Sequence, residues 1–425
     1  MTLNIALVGA GGMGLRHAYG YAELQRAFPG MVRMVAVCDV HASPAITVAD
    51  EVEKLTGHRP IVHIDFEKML STDTSIDAVD IATSTPMHHV LAIQAMEAGK
   101  HVMVEKPMGL TLKACHQMAA AAQRTGMKLS VSENYRRDPM NRLAKALLEA
   151  GVIGTPYFAL DMHLSSARGG VMHGTVWRAK KDQAGGMVLD AGVHNADLLV
   201  YLMGEPRTIY AESGVFERER ILGDMQRQNP RLAKFYGHRV ETGGSIGDTI
   251  EHDAADTAFA VIRFQSGAIG QMTLTDVAHG LPVGQSTIHG SRGAMTRPPS
   301  RSGISPIIHR NGQEAVSGEK LLSFVPEFEL DDVTTMLFGG RRLGSYEMEF
   351  EEIDRKIVAI EYADLARAVE TGGDVEVGPA EGAAALALAY AALESGELQI
   401  PVRFEDVLSG EASAYQGEIN QKLGI

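Results

Sequence analysis

Leu3-Asn4-Ile5-Ala6-Leu7-Val8-Gly9-Ala10-Gly11-Gly12-Met13-Gly14 opens the chain with an apolar run that ends in a glycine-rich turn. The turn satisfies GxGxxG, and three of its glycines have steric tasks. Gly9 permits the tight turn and Gly11 lets the backbone approach a diphosphate. Gly14 lets the helix that follows pack against the strand. Gly12 and Met13 lie at that helix's start, where free N–H groups and the positive dipole end favour an anion. Such a turn is common in isolation, so its surroundings decide its meaning.

Outward from it, residues 3 to 134 alternate short apolar runs with helical patterns. Strands are predicted at Asn4–Val8, Arg33–Cys38, Ala78–Ala82, His101–Val104 and Lys128–Val131, with helices between them such as Pro86–Ala98 and Leu112–Thr125. Strand–helix alternation implies parallel pairing through crossovers, hence a doubly wound α/β sheet that binds its ligand at the strands' carboxyl ends. The second strand ends at Asp39, whose carboxylate suits both ribose hydroxyls of an adenosine half. Val40 and His41 follow, with no arginine for a 2′-phosphate, so NAD is expected rather than NADP.

Two further segments fall on the same carboxyl edge. Ala82-Thr83-Ser84-Thr85-Pro86-Met87-His88-His89 follows the fourth strand, and Glu105-Lys106-Pro107 follows the fifth. Thr83, Ser84, Pro86, His89 and Glu105 are candidate contacts of the nicotinamide half. Lys106 can donate to a substrate hydroxyl and favour its alkoxide-like form. The Lys106–Pro107 peptide is expected to be cis. Later, Gly185-Gly186 leads into Asp190 and His194, which are four apart and would share one helical face. An imidazole is suited to take a hydroxyl proton near neutrality. Asp190 would orient the substrate or tune His194.

In this order, the glycine turn, the Asp39 strand end, the Glu-Lys-Pro turn and the Asp-x-Gly-x-His helix start resemble the Gfo/Idh/MocA (glucose–fructose oxidoreductase/inositol dehydrogenase) family. The resemblance implies Lys106, Asp190 and His194 as the catalytic set. It implies a Rossmann domain over residues 1–134. It also implies a substrate domain over 135–425, with a large, mostly antiparallel open sheet and assembly as a homodimer or homotetramer. Tyr135 and Arg136 match a segment expected to face the cleft. Trp177 and Arg178 match one near cofactor and substrate, and Arg168 and His173 in the loop before it are expected substrate contacts.

The remaining sequence narrows the partners. A net charge of -14 argues against a nucleic acid or an anionic membrane surface as partner. The two cysteines, Cys38 and Cys115, form no CxxC pair, and no metal site is expected. The first residues enter a strand pattern without a secretory signature, so a cytoplasmic location is expected. Strands are predicted at Thr155–His163, Ala258–Phe264 and Ala268–Thr275, and helices at Lys356–Thr371 and Glu381–Ser395. Residues 214–252 read as an insertion, either a lid or an oligomer arm; 292–319 read as loop, and the polar tail after Phe404 as wrapping a neighbour or fraying.

The expected activity is hydride transfer between NAD and a secondary alcohol of a sugar, sugar derivative or cyclic polyol. The alternative is a redox-neutral NAD-dependent glycoside hydrolase that oxidises carbon 3 transiently and then eliminates, with an anionic sugar such as a sulfoquinovoside as one substrate.

Overall fold

β1 (Leu3–Val8) runs through the middle of a six-stranded parallel sheet, so its residues are buried on both faces. Around it lie β2 (Val32–Cys38), β3 (Ile61–His63), β4 (Ala78–Ile81), β5 (His101–Glu105) and β6 (Leu129–Ser132), in the order β3-β2-β1-β4-β5-β6. Five of the six match the expected runs. β3 has only three residues, two of them apolar, too short for its pattern to register. The strand order reverses between β1 and β4, which opens a crevice at their carboxyl ends. The connecting helices are α1 (Gly12–Ala27), α2 (Ala42–Thr56), α3 (Phe66–Thr72), α4 (His88–Glu97) and α5 (Leu112–Thr125). The computed structural model describes residues 1–168, 175–224, 234–238 and 244–425.

After α6 (Pro139–Glu149), the chain enters the second sheet. Its strands include β7 (Pro156–Leu164), β8 (Pro206–Gly214), β11 (Thr257–Phe264), β12 (Ile269–Thr275) and β13 (Val283–Gly290). With β14 (Gly293–Thr296), β15 (Ile307–His309), β16 (Val316–Ser317) and β17 (Val402–Arg403), it reaches nine strands, in the order β16-β15-β14-β13-β7-β12-β11-β8-β17. Within this sheet, among the described residues, only β7 and β12 pair parallel. β9 (Glu219–Ile221) and β10 (Thr249–Glu251) form a separate small ribbon.

The helix Pro379–Leu398 covers β8, and its alanines allow the close approach that helix-on-sheet packing needs. The helix Phe350–Thr371 goes elsewhere. It packs on α1, and its Ile353, Ile357 and Tyr362 join Leu15 and Tyr21 in the core under the first sheet. Each such buried side chain contributes about 1.5–3 kcal/mol.

The tail corrects an expectation. Rather than fraying, it seals α5: Gln416 Oε1 accepts from Leu112 N–H (2.9 Å), and Thr111 Oγ1 donates to Asn420 (2.7 Å). Its polarity is explained by these free helix-start groups, which need hydrogen-bond partners.

Candidate active site

The glycine turn has the shape the sequence implies. Gly9 adopts φ +95°, and a Cβ there would lie 2.7 Å from the Ala82 carbonyl. A Cβ on Gly14 would lie 2.0 Å from the Gly9 oxygen. At Gly11 a Cβ would meet nothing within 4 Å, so the face of the loop is clear for a diphosphate. Asp39 stands beside the loop at the end of β2. One carboxylate oxygen accepts from Ala10 N–H and the other from His41 N–H, both at 2.8 Å. Each carboxylate oxygen has a second lone-pair direction for a ribose hydroxyl.

The two edge segments meet through His88. Its Nδ1 lies 2.9 Å from the Pro107 carbonyl and its Nε2 3.2 Å from that of Thr83. The Lys106–Pro107 peptide is cis, as expected. His89 is buried beside this link, while Ser84 and Pro86 lie at the turn that leads into α4.

Lys106 points across to the second half of the chain. Its Nζ donates to the Asp190 carbonyl oxygen (2.6 Å) and to Asp190 Oδ1 (3.1 Å). Asp190 Oδ2 accepts from Arg178 Nε at 2.9 Å, and the Arg178 guanidinium stacks 4.1 Å from the Trp177 ring. Burial favours the neutral carboxyl, but Lys106 and Arg178 hold Asp190 well below the usual carboxylate range. Burial likewise favours a neutral Lys106, and Asp190 and Glu105 overcome it, so the ammonium stays charged. Lys106 is therefore a donor and a field, not a base.

His194 finds a different carboxylate. The expected single helix is two: α7 (Gly186–Asp190) ends at Asp190, and α8 (Gly192–Met203) begins after Ala191. The break takes Asp190 to Lys106 and leaves His194 to Glu133, just beyond β6. His194 Nδ1 lies 2.7 Å from Glu133 Oε1, which also accepts the Tyr135 N–H at 3.0 Å. The Tyr135 ring stacks on the imidazole at 4.1 Å. With Nδ1–H donated to Glu133, Nε2 carries the lone pair. Burial, Lys106 and Arg301 lower the His194 pKa and outweigh Glu133, so the ring is neutral at neutral pH. The expectation that Asp190 tunes His194 is corrected: Glu133 makes that hydrogen bond.

Other expected residues are dispersed. Arg136 does not stand with Tyr135 at the imidazole; its guanidinium makes a two-pronged buried pair with Asp197 of α8. Arg168 is 63% exposed and paired with Glu217. His173 lies outside the described residues. Glu105 is almost wholly buried, and its Oε1 lies 3.0 Å from His17 Nε2.

Comparison with known proteins places the chain in a family. Residues 3–133 match the model of an oxidoreductase family with an NAD-binding Rossmann fold, and residues 141–296 match the Gfo/Idh/MocA C-terminal domain. The chain is 30% identical over 297 residues to levoglucosan dehydrogenase of Pseudarthrobacter phenanthrenivorans, covering 69% of this chain and 73% of that one. The chain belongs to the Gfo/Idh/MocA family of oxidoreductases. A structure of levoglucosan dehydrogenase with NADH and levoglucosan superposes with a TM-score of 0.72 at 25% identity, over 95% of this chain and all of that one. Myo-inositol 2-dehydrogenase of Thermotoga maritima is 26% identical, over 96% of this chain and 100% of its own length. A glycosyl hydrolase family 109 protein of Shewanella baltica is 29% identical over 157 residues, a third of its length.

Sequence reasoning missed two charged groups acting on the His194 imidazole, Glu133 and Arg301, and the buried partner of Glu105, His17. Glu133 stands at a strand's carboxyl end, the signal by which Asp39 was found, but outside every motif. Arg301, at φ 59°, reaches 5.0 Å from the Tyr135 ring and pairs with Asp354 at 3.0 Å. It sits in a stretch that reads only as loop. His17 follows GxGxxG by three residues, a spacing that puts it near the turn.

Proposed function

We propose that this chain is an NAD-dependent dehydrogenase acting on a secondary alcohol of a sugar, sugar derivative or cyclic polyol. The observation that carries this reading is a fixed cation, Lys106, whose charge acts on a neutral imidazole, His194, with an Nε2 not tied to a carboxylate among the described residues. The named activities of the relatives agree in class.

The residues fit the cofactor. The loop Gly9–Gly14 and α1 would take its diphosphate, and Asp39 its adenosine ribose. Thr83, Ser84, Pro86, His89, Glu105, Trp177 and Arg178 would border its nicotinamide half. NAD, when bound, accepts the hydride from the substrate carbon. Lys106 donates a hydrogen bond to the substrate oxygen and stabilises the charge that gathers there. His194 Nε2 takes the hydroxyl proton, and Glu133 stabilises the imidazolium that results. Asp190 positions Lys106, while Tyr135 holds the plane of the imidazole. In this reading residues 1–134 bind the dinucleotide and 135–425 the substrate, with the helix Phe350–Thr371 returning to the first part.

The reading includes a homo-oligomer packed on the second sheet, which its outer face supports. Phe158, Tyr210, Phe259, Val261 and Ile269 are at least 40% exposed on neighbouring strands, an apolar surface that a second copy would cover.

Lys106→Ala should abolish turnover while NADH binding persists in a fluorescence titration. A fully active variant would overturn the assignment. The partial match to a family 109 glycosyl hydrolase favours one other reading, in which the same pair runs a redox step that cancels within a turnover.

A further inference from the structure

We propose that Phe235, Tyr236 and His238, inside the 214–252 excursion, form an outer wall of the dinucleotide site and slow cofactor release. The inference rests on the reading of Gly9–Gly14 as the NAD cradle. Phe235 and Tyr236 are buried, yet the aromatic they pack with is Tyr19 of α1. The Phe235 and Tyr19 rings meet edge to face at 6.0 Å. Tyr236 lies over the start of α1. A Cβ on Gly12 would sit 2.2 Å from its Cδ1, so the ring fills the space that a side chain at position 12 would take. The Tyr236 hydroxyl is 3.8 Å from Met13 Sδ.

His238 Nε2 lies 2.7 Å from the Ala10 carbonyl oxygen. Lys234 anchors the near end of the segment, 2.8 Å from Glu351. These contacts converge on Ala10, Gly12 and Met13, the residues of the cradle itself. Glycine at position 12 thereby has a reason separate from the motif: it admits a ring from 224 positions away in sequence.

His238 has one ring nitrogen to spare. With Nε2–H donated to Ala10, its Nδ1 is buried and takes no hydrogen bond among the described residues. Nδ1 then carries the ring's lone pair, and a hydroxyl of a dinucleotide on the loop would supply the donor. Tyr236 adds an aromatic wall that keeps water from the loop. A cofactor leaving the cradle loses both contacts, so the effect falls on the release rate.

The test is stopped-flow displacement of NADH from the full chain. Tyr236→Ala and His238→Ala should each speed release about tenfold. Tyr236→Phe should release at nearly the wild-type rate, because the ring fills the space. Gly12→Ala should behave like Tyr236→Ala, since its methyl displaces the ring, and should add little on a Tyr236→Ala background. Thermal unfolding of each protein without cofactor reports its folding, and His238→Gln serves if Tyr236→Ala is unstable. Wild-type release rates in folded variants would overturn the inference. Failure of the wild-type chain to bind NADH would overturn the reading of the cradle and this inference with it.

Discussion

His17 and His194 each meet a glutamate near the end of a strand of the first sheet, Glu105 on β5 for one and Glu133 beyond β6 for the other. His17 has a second carboxylate. Its Nδ1 lies 2.8 Å from Asp80 Oδ2, Asp80 also accepts the Tyr362 hydroxyl, and the ring is fully buried. Burial alone would lower its pKa, but Asp80 and Glu105 raise it well above the ordinary value. His194 has one carboxylate and two nearby cations, and its pKa falls. The same side chain is thus a fixed cation in one network and a neutral ring in the other. The second carboxylate beside His17 and the cations beside His194 decide which.

Substituting the sealed ring should have the largest effect. His17→Leu leaves Asp80 and Glu105 without their cation and should cost up to about 5 kcal/mol of stability in urea unfolding. The loss should be full below the ordinary histidine pKa and shrink only as pH rises through the raised folded value. A cost under about 1 kcal/mol would mean that the network carries no charge.

Next comes the open ring. His194→Ala should lower kcat on the order of 10³-fold, about 4 kcal/mol, with NADH affinity nearly unchanged. An equal loss of NADH affinity would make His194 structural, like His17. Glu133→Gln should cost about tenfold in kcat. Because Glu133 raises the His194 pKa, its removal should also move the acid limb of the pH–rate profile to lower pH. A shift to higher pH would contradict the hydrogen-bond assignment. The smallest effect belongs to Tyr135→Phe. It keeps the stack on His194 and loses only a 3.4 Å contact with Arg301, so kcat should change less than about threefold.

The same contrast separates what was legible in the sequence from what was not. The first sheet was legible because both its faces are largely buried, so β1, β2 and β5 each carry a run of apolar residues between helical patterns. Residues at strand ends were found wherever a motif marked them, as with Asp39 and Lys106. Glu133 was missed because its meaning is a contact with His194, 61 positions away. Asp190 was found, but its partner was misread, since Ala191 breaks the helix whose periodicity joined it to His194. In the second sheet, β8, β13 and the short strands β14 to β17 escaped notice: β13 carries Gly284, Gln285 and Ser286 in place of an apolar run, and β14 to β17 have at most four residues each. The tail deceived for a similar reason: Gln416 and Asn420 are polar because α5 needs caps.

The central claim is that the Lys106 and His194 pair drives a net oxidation. The most direct test is to incubate the chain with NAD and a panel of sugars, cyclic polyols and glycosides, and count reduced nicotinamide against product. The account predicts one NADH for each ketone formed, with no aglycone released. Release of free sugar and aglycone with no net NADH would contradict it.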